Sequence, residues 1–335
     1  MSRIVFYCHD DPATLEVFEY YRQDIDALRV LGHQVTTCTR YRDIPFSYDA
    51  MFIWWWTYAA CPALLSRLLN KPCIITGTFN FRISDPTTRD YFRRPFWQRL
   101  IIRQSLCLAS ANLFVNRLEL EGCAEHFRLS NARYYPHSIG DDYLCEPSPQ
   151  RSGPLLSIAW SGKQNLIRKG IPELLQAIRL LKDEAVEVNL TLAGLEGDGV
   201  DFLVGLIEQL NITDRVTYRG AISRTEKIGL LKECEMYIQP SHYEGFGLGI
   251  AEAMGCGACV VVCDVGAVKE VVGDSGYYVA PGSPEEIAAA IRHLRRDREL
   301  RYIYQRRAYH RATGCLAFSE KVERLRQYLL EVGVR

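Results

Sequence analysis

Short apolar runs alternate with longer amphipathic stretches along this chain. Arg3–Tyr7 (RIVFY) has the length and composition of a buried parallel strand. Leu15–Leu31 places apolar side chains at helical spacing and ends at Gly32, a residue suited to a helix C-cap. Gln34–Thr39 (QVTTCT) is rich in β-branched residues and reads as the next strand, completing a β-α-β unit. Ala50–Trp54, Cys73–Gly77 and Asn112–Val115 read as further strands with helices between them, and the alternation continues to Tyr134–Tyr135.

Cys145–Pro154 (CEPSPQRSGP) interrupts the pattern with linker composition. Beyond it the alternation restarts. Leu155–Ala159, Val188–Ala193, Arg215–Tyr218, Met236–Gln239, Cys259–Cys263 and Gly276–Val279 read as strands. Pro172–Lys182, Phe202–Leu210, Glu226–Lys232 and Pro284–Arg296 read as helices, the last opening with a Ser-Pro-Glu-Glu start that resembles a capping box. The expectation is an α/β protein of two doubly wound, Rossmann-like domains, at 1–148 and 149–316, followed by a terminal helix in 317–335. Ligands of such sheets collect at the carboxyl ends of the strands, and cofactor sites favour domain interfaces, so the inter-domain cleft is the expected site.

Composition narrows the classes. The chain has 335 residues, with 40 Lys+Arg against 40 Asp+Glu. Zero net charge argues against a protein that binds nucleic acid by bulk electrostatics. The apolar run Ala50–Ala63 falls short of the roughly 18–20 residues that span a bilayer. The opening MSRIVFYCHDD turns acidic at once and does not read as a signal peptide. Twelve cysteines are scattered, mostly inside strand-like runs, and read as free buried thiols in a cytoplasmic protein. Cys256, Cys259 and Cys263 have no fourth ligand nearby, so no metal is expected.

The most informative stretch is Pro240–Gly257 (PSHYEGFGLGIAEAMGCG), which follows a strand and opens a helix at Leu248–Met254. Glycines at a helix N-terminus let backbone N–H groups and the helix dipole approach a phosphate. Glu252, a turn inside, is placed to accept from ribose hydroxyls. The alternative is a plain strand-to-helix turn with Glu252 as a helix former. Trp160–Gly170 (WSGKQNLIRKG) carries cations that suit a diphosphate, or else a solvated loop.

Glu244 and Glu252, eight apart with EGFGL between and EAMGCG following, resemble the E-x7-E motif of retaining glycosyltransferases of the GT-B fold, and more narrowly glycosyltransferase family 4. Trp160–Gly170, Leu190–Gly194 (LTLAG), Val216–Gly220 (VTYRG), Asp264–Gly276 and Tyr278–Pro284 are similar to that family's other segments. The resemblance implies a hexosyltransferase-type enzyme. It would move sugar from a nucleoside diphosphate donor of UDP or GDP type to an acceptor hydroxyl, with retention and without metal or other cofactor. Glu244 would position the donor sugar, and the amides of Gly245, Phe246, Gly247 and Leu248 would face sugar or diphosphate oxygens. Glu252 would hold the ribose, and Arg219 would lie on the nucleotide side. Lys163 takes the place of the family's arginine, and Lys169 or Arg168 that of its lysine. Lys163 with Lys169 is the favoured pair, with one residue more between them than in the family. The terminal helix Phe318–Val332 would cross back to the first domain, as in relatives.

The first domain would bind the acceptor. It departs from the family in having Cys8-His9-Asp10-Asp11-Pro12 after its first strand and Thr78 where a histidine is usual. His9 would substitute as a polar group toward the donor sugar, or cap the first helix. Trp54–Tyr58, with Trp56, reads as an acceptor platform or as a buried strand end. Pro136–Asp141 (PHSIGD) resembles a family turn, making His137 a turn residue. Arg89–Arg103 interleaves five arginines with aromatics against one acid. That suits an anionic surface, a membrane's inner face or a phosphate-bearing acceptor, and equally an aromatic stripe packed on the core. Arg292–Arg311 carries eight arginines and reads as a solvated helical face. The rival readings are a non-catalytic sugar-nucleotide-binding GT-B subunit and a GT-B nucleotide-sugar epimerase.

Overall fold

Runs of four to six residues with both faces apolar can be buried only in a sheet covered on both sides, and the chain builds two of these. The structure, a computed structural model, describes residues 1–83 and 90–335. Its residues divide into two units: 1–138 together with 316–335, and 139–315. Residues 139–148, expected to close the first domain, therefore go with the second unit.

In the first unit, β1 (Arg3–Cys8), β2 (Gln34–Cys38), β3 (Ala50–Trp54), β4 (Cys73–Gly77), β5 (Ala111–Phe114) and β6 (Ala132–Tyr134) form one parallel sheet in the order β2-β1-β3-β4-β5-β6. Every residue of β3, β4 and β5 is buried, whereas the edge strand β2 buries only Cys38. In the second unit, β7 (Leu155–Ile158), β8 (Leu190–Ala193), β9 (Val216–Tyr218), β10 (Met236–Gln239), β11 (Cys259–Cys263) and β12 (Tyr277–Val279) run parallel in the order β12-β11-β10-β7-β8-β9. That is the doubly wound order of dinucleotide-binding folds. The chain reverses direction across the sheet between β1 and β3 in one unit and between β7 and β10 in the other.

Helix ends follow local chemistry. Helix Glu19–Val30 stops before Gly32, whose φ is +83°. The expected single helix Leu15–Leu31 is broken at Phe18, which is extended (ψ 116°) and stacks its ring on Tyr20 at 5.2 Å. Ser283 caps helix Pro284–Arg296 by accepting from Glu286 N, but the Glu286 carboxylate turns to Ala280 N. The full capping box is Ser223 with Glu226. The arginine-rich stretch Arg292–Arg311 is not wholly solvated: Arg301, on helix Arg298–Cys315, is buried and pairs with Glu235.

The first unit is closed by a buried charge pair. Asp24 accepts from Trp54 Nε1 at 2.9 Å, Tyr135 OH at 3.0 Å and Lys321 Nζ at 2.8 Å. Lys321 lies on the terminal helix Phe318–Glu331, caps the Tyr135 ring at 3.6 Å and donates to Pro136 O. Burial pushes the Asp24 carboxyl up and the Lys321 ammonium down from their ordinary values. His137, expected in a turn, is buried beside this pair, stacked on Trp54 at 6.0 Å.

Lys321→Met should remove the charge that partners Asp24, and lower stability by about 3–5 kcal/mol at pH 7. A carboxyl whose folded pKa is raised costs stability above its unfolded pKa, so the deficit should shrink as pH falls from 7 to 5. Urea unfolding at the two pH values reads this, and Asp24→Asn with Lys321→Met should recover most of the loss.

Candidate donor-binding site

Two loops leave the carboxyl ends of β7 and β10, where the strand order reverses, and the crevice outside such a point is where open α/β sheets bind ligands. The first loop leads into helix Lys163–Arg168 and then Lys169 and Gly170. The second is the turn Pro240–Gly247, which opens helix Leu248–Gly255. Gly170 joins them. Its φ is +68°, and a Cβ there would run into the Pro240 carbonyl oxygen. His242 N donates to Arg168 O at 2.8 Å, and His242 Nε2 meets Glu173 Oε1 at 2.9 Å.

This stitching delivers Glu244 to two cations. Its Oε1 accepts from Lys169 Nζ at 2.6 Å, Gln239 Nε2 at 2.7 Å and Ser241 Oγ at 2.8 Å, while Oε2 lies 3.6 Å from Arg168 Nη1. Arg168 is fixed in turn by Tyr243 O at 2.7 Å and Asn165 Oδ1 at 2.6 Å. Glu244 is 4% exposed. Burial pushes its carboxyl up, but the Lys169 and Arg168 charges outweigh burial and hold it below the ordinary range. Burial draws Lys169 below its ordinary value. Two cations against one carboxylate leave one positive charge over. The cations carrying it, Arg168 and Lys169, are paired to Glu244 on the turn that feeds helix Leu248–Gly255, whose first N–H groups have no intrahelical acceptor. Gly247 caps this helix at φ +91°, a conformation that favours glycine.

Glu252, one turn into the helix and 4% exposed, accepts from Lys227 Nζ at 2.7 Å. Lys227 lies 5.1 Å over the Tyr143 ring, and Arg224, paired with Asp142, lies 4.9 Å over it.

The remaining expected residues fall apart from this cluster. Lys163 Nζ sits over the Phe202 ring at 5.2 Å and its backbone N donates to Asp198; the cations on Glu244 are the adjacent Arg168 and Lys169, and Lys163, expected with Lys169 at a donor diphosphate, has other neighbours. Arg219 follows β9, is half exposed and comes within 3.9 Å of Glu226. In the first unit, Thr78 follows β4 and is half-buried. Trp56 is buried, donates to Asn112 Oδ1 at 2.7 Å and stacks on Phe114, so it is a core residue rather than a platform. His9 is exposed and caps no helix; it stacks among tyrosines. Of Arg89–Arg103, Arg89 lies outside the described residues. The rest does not pack its stripe inward: Tyr91 is buried, but Phe96 is 74% and Trp97 50% exposed. Among the described residues no helix is long and apolar enough to cross a membrane.

Gln239, Ser241 and Lys227 join the site without having been among the expected residues. Gln239 and Ser241 flank the proline before Glu244 and were legible as polar residues ending an apolar strand. Lys227 pairs across twenty-five positions, and no local pattern announces that.

Residues 162–311 match the family model described as glycosyl transferases group 1. O-antigen chain mannosyltransferase B of Escherichia coli is 36% identical over 163 residues, 46% of this chain and 42% of that one. Glycogen synthase of Mycobacterium tuberculosis is 31% identical over 257 residues, 72% of this chain and 59% of that one. The aligned stretch thus spans about half the length of these relatives. Sucrose-phosphate synthase from Thermosynechococcus elongatus superposes with a TM-score of 0.77 at 18% identity, over 99% of both chains. Anabaena HepE, solved in complex with UDP, gives 0.76 at 17% identity, over 98% of this chain and 99% of that one. These likenesses show the fold, GT-B, with its two Rossmann-like units.

Lys169→Met should cost about 3 kcal/mol at pH 7, the low end for breaking a buried pair because Arg168 remains. The sign of the pH dependence should also reverse. In wild type, Glu244 has a depressed folded pKa. Its contribution is present above the unfolded value and is lost as pH falls through the lower folded one. In the variant the buried carboxyl rises, so acidification from pH 7 to 5 should regain stability. Denaturant unfolding of both proteins across that range measures it.

Proposed function

Residues 162–311 form a glycosyl transferases group 1 domain, and on that premise we propose that the protein transfers a sugar from a nucleoside diphosphate donor to an acceptor hydroxyl. The observation that carries this reading is the Glu244 cluster at the β7–β10 reversal. A departing nucleoside diphosphate develops negative charge on its β-phosphate. Lys169, Arg168 and the start of helix Leu248–Gly255 are fixed donors for that charge, and prearranged electrostatics of this kind accounts for most of the rate enhancement of many enzymes. On this reading the side-chain cations do the work of a metal, and transfer is metal-independent. Glu244 orients the donor sugar, and Glu252 takes the ribose hydroxyls, with Lys227 holding its carboxylate in place. Configuration is retained, with the leaving diphosphate and the incoming hydroxyl on one face of the sugar. UDP is the first donor base to test, since the Anabaena protein of the same fold was solved with it. The first unit takes the acceptor.

The outward face of helix Phe96–Leu108 adds a partner. Phe96, Trp97, Leu100 and Arg103 are exposed on one side, and no Asp or Glu occurs from Tyr91 to Leu118. Apolar rings rimmed by arginines suit the interface of an anionic membrane.

UDP at 100 times its dissociation constant should stabilise the wild type by about 2.7 kcal/mol, and Glu252→Ala should abolish this. Glu244→Gln should slow transfer about 10²–10³-fold, EDTA should leave the rate unchanged, and the product should keep the donor's anomeric configuration by NMR. Full stabilisation of Glu252→Ala, or wild-type turnover in Glu244→Gln, would remove those assignments. UDP binding without transfer to any acceptor would favour a non-catalytic subunit. In flotation assays, vesicles with phosphatidylglycerol should hold the protein, and phosphatidylcholine vesicles should not. Phe96→Ser with Trp97→Ser should release it; equal retention of the double variant would refute the membrane contact.

A further inference from the structure

The first unit has its own reversal point, between β1 and β3, and aromatic residues gather near the strand ends there. His9 follows β1, Tyr41 follows β2, and Trp55 and Tyr58 follow β3. The His9 ring lies 4.5 Å from Tyr58 and 5.7 Å, nearly parallel, from Tyr41, which itself stacks on Tyr7 at 5.4 Å. Tyr41 OH donates to Tyr58 O at 3.1 Å, which ties the turn after β2 to the first turn of helix Trp56–Leu68. Tyr41 is 45% and Tyr58 41% exposed, so rings held in a fixed stack still present their surface to solvent.

The loop beneath is held in a costly conformation. Trp55 has φ +75° and ψ 110°, a region that bulky side chains avoid. Its ring passes over Gly77, where a Cβ would lie 3.2 Å from Trp55 Cε3. Its Nε1 donates to Tyr21 OH at 2.6 Å, and Tyr21 OH donates to Asp10 Oδ2 at 3.1 Å. This chain fixes the Asp10–Asp11 loop next to His9. Asp10 and Asp11 are exposed carboxylates, and His9 adds an imidazole whose Nδ1 faces Tyr7 OH at 3.3 Å.

We propose that the His9–Tyr41–Tyr58 stack is a sugar-binding platform, and that the acceptor therefore ends in a pyranose ring rather than in a simple alcohol. A pyranose has one face of C–H groups that lies flat on an aromatic ring and a rim of hydroxyls that carboxylate and imidazole groups can bind. A fixed aromatic surface bordered by a few polar groups is the usual form of a small-ligand site. The stack, not buried Trp54 or Trp56, is the aromatic surface that this loop cluster offers. The proposal deepens the glycosyltransferase reading and rests on it for the word acceptor, but not for the binding itself.

Saturation-transfer NMR on the full chain tests binding without any donor, using methyl α-D-glucopyranoside and methyl α-D-mannopyranoside against glycerol as a ring-free polyol. At least one glycoside should show transfer to its ring protons, and glycerol none. Tyr41→Ala and Tyr58→Ala should each weaken binding about three- to tenfold and together more than tenfold, with UDP binding unchanged; Tyr58→Ala, which keeps the Tyr41–Tyr58 backbone bond and the Tyr41–Tyr7 stack, should do so without a loss of melting temperature. With a sugar acceptor in turnover, KM should rise by the same factor while kcat holds. Absence of glycoside transfer, transfer equal in the double variant, or displacement of the glycosides by uridine would overturn the platform. Failure of the glycosyltransferase reading looks different: no UDP binding and no turnover in wild type, with the glycoside signal and its loss in the variants intact.

Discussion

The second unit depends on one buried carboxylate. Glu244 ionised and unaccompanied at 4% exposure would cost several kcal/mol, so the turn that carries it must bring cations and hydrogen-bond donors with it. Lys169, Arg168, Gln239 and Ser241 are those groups. Holding them there explains the left-handed Gly170, the His242–Arg168 backbone bond and the close fit against Pro240. Natural selection for stability alone would favour apolar packing here, since buried ion pairs are seldom better than a hydrophobic replacement. A cluster that keeps one surplus positive charge beside a helix N-terminus is suited to an anion instead.

The same topological logic places chemistry in both units. In each parallel sheet the strand order reverses once beside the first strand, and the loops that diverge there leave a crevice. The second unit fills its crevice with charge, the first with aromatic rings. The first unit also spends a buried pair, Asp24 with Lys321, on fastening the terminal helix and the segment at Tyr135–His137. Both pairs place charges in the interior where position matters more than stability.

Most strands were legible because period and composition decide them locally. Ala50–Trp54 and Cys259–Cys263 are found where the pattern put them, since a fully buried strand has no polar face to confuse it. The turn at Glu244 was legible because its glycines and acids are contiguous. Pairing was not. Which cations meet Glu244 depends on how one short helix ends, and that end brings Arg168 to it beside Lys169. The Phe18 break was hidden because an aromatic residue there fits a helical stripe equally well. Trp54, Trp55 and Trp56 read alike in sequence. Only the pleat of β3 and the turn after it send Trp54 and Trp56 inward and leave Trp55 half-buried.

The central claim is that Lys169 and its neighbours bind the diphosphate of a nucleotide. The most direct measurement is calorimetric titration of UDP and of uridine into wild type and Lys169→Met at pH 7. Wild type should prefer UDP to uridine by at least 100-fold, and the variant should lose most of that preference while its uridine affinity changes little. An unchanged UDP-to-uridine ratio in a folded variant would contradict the account.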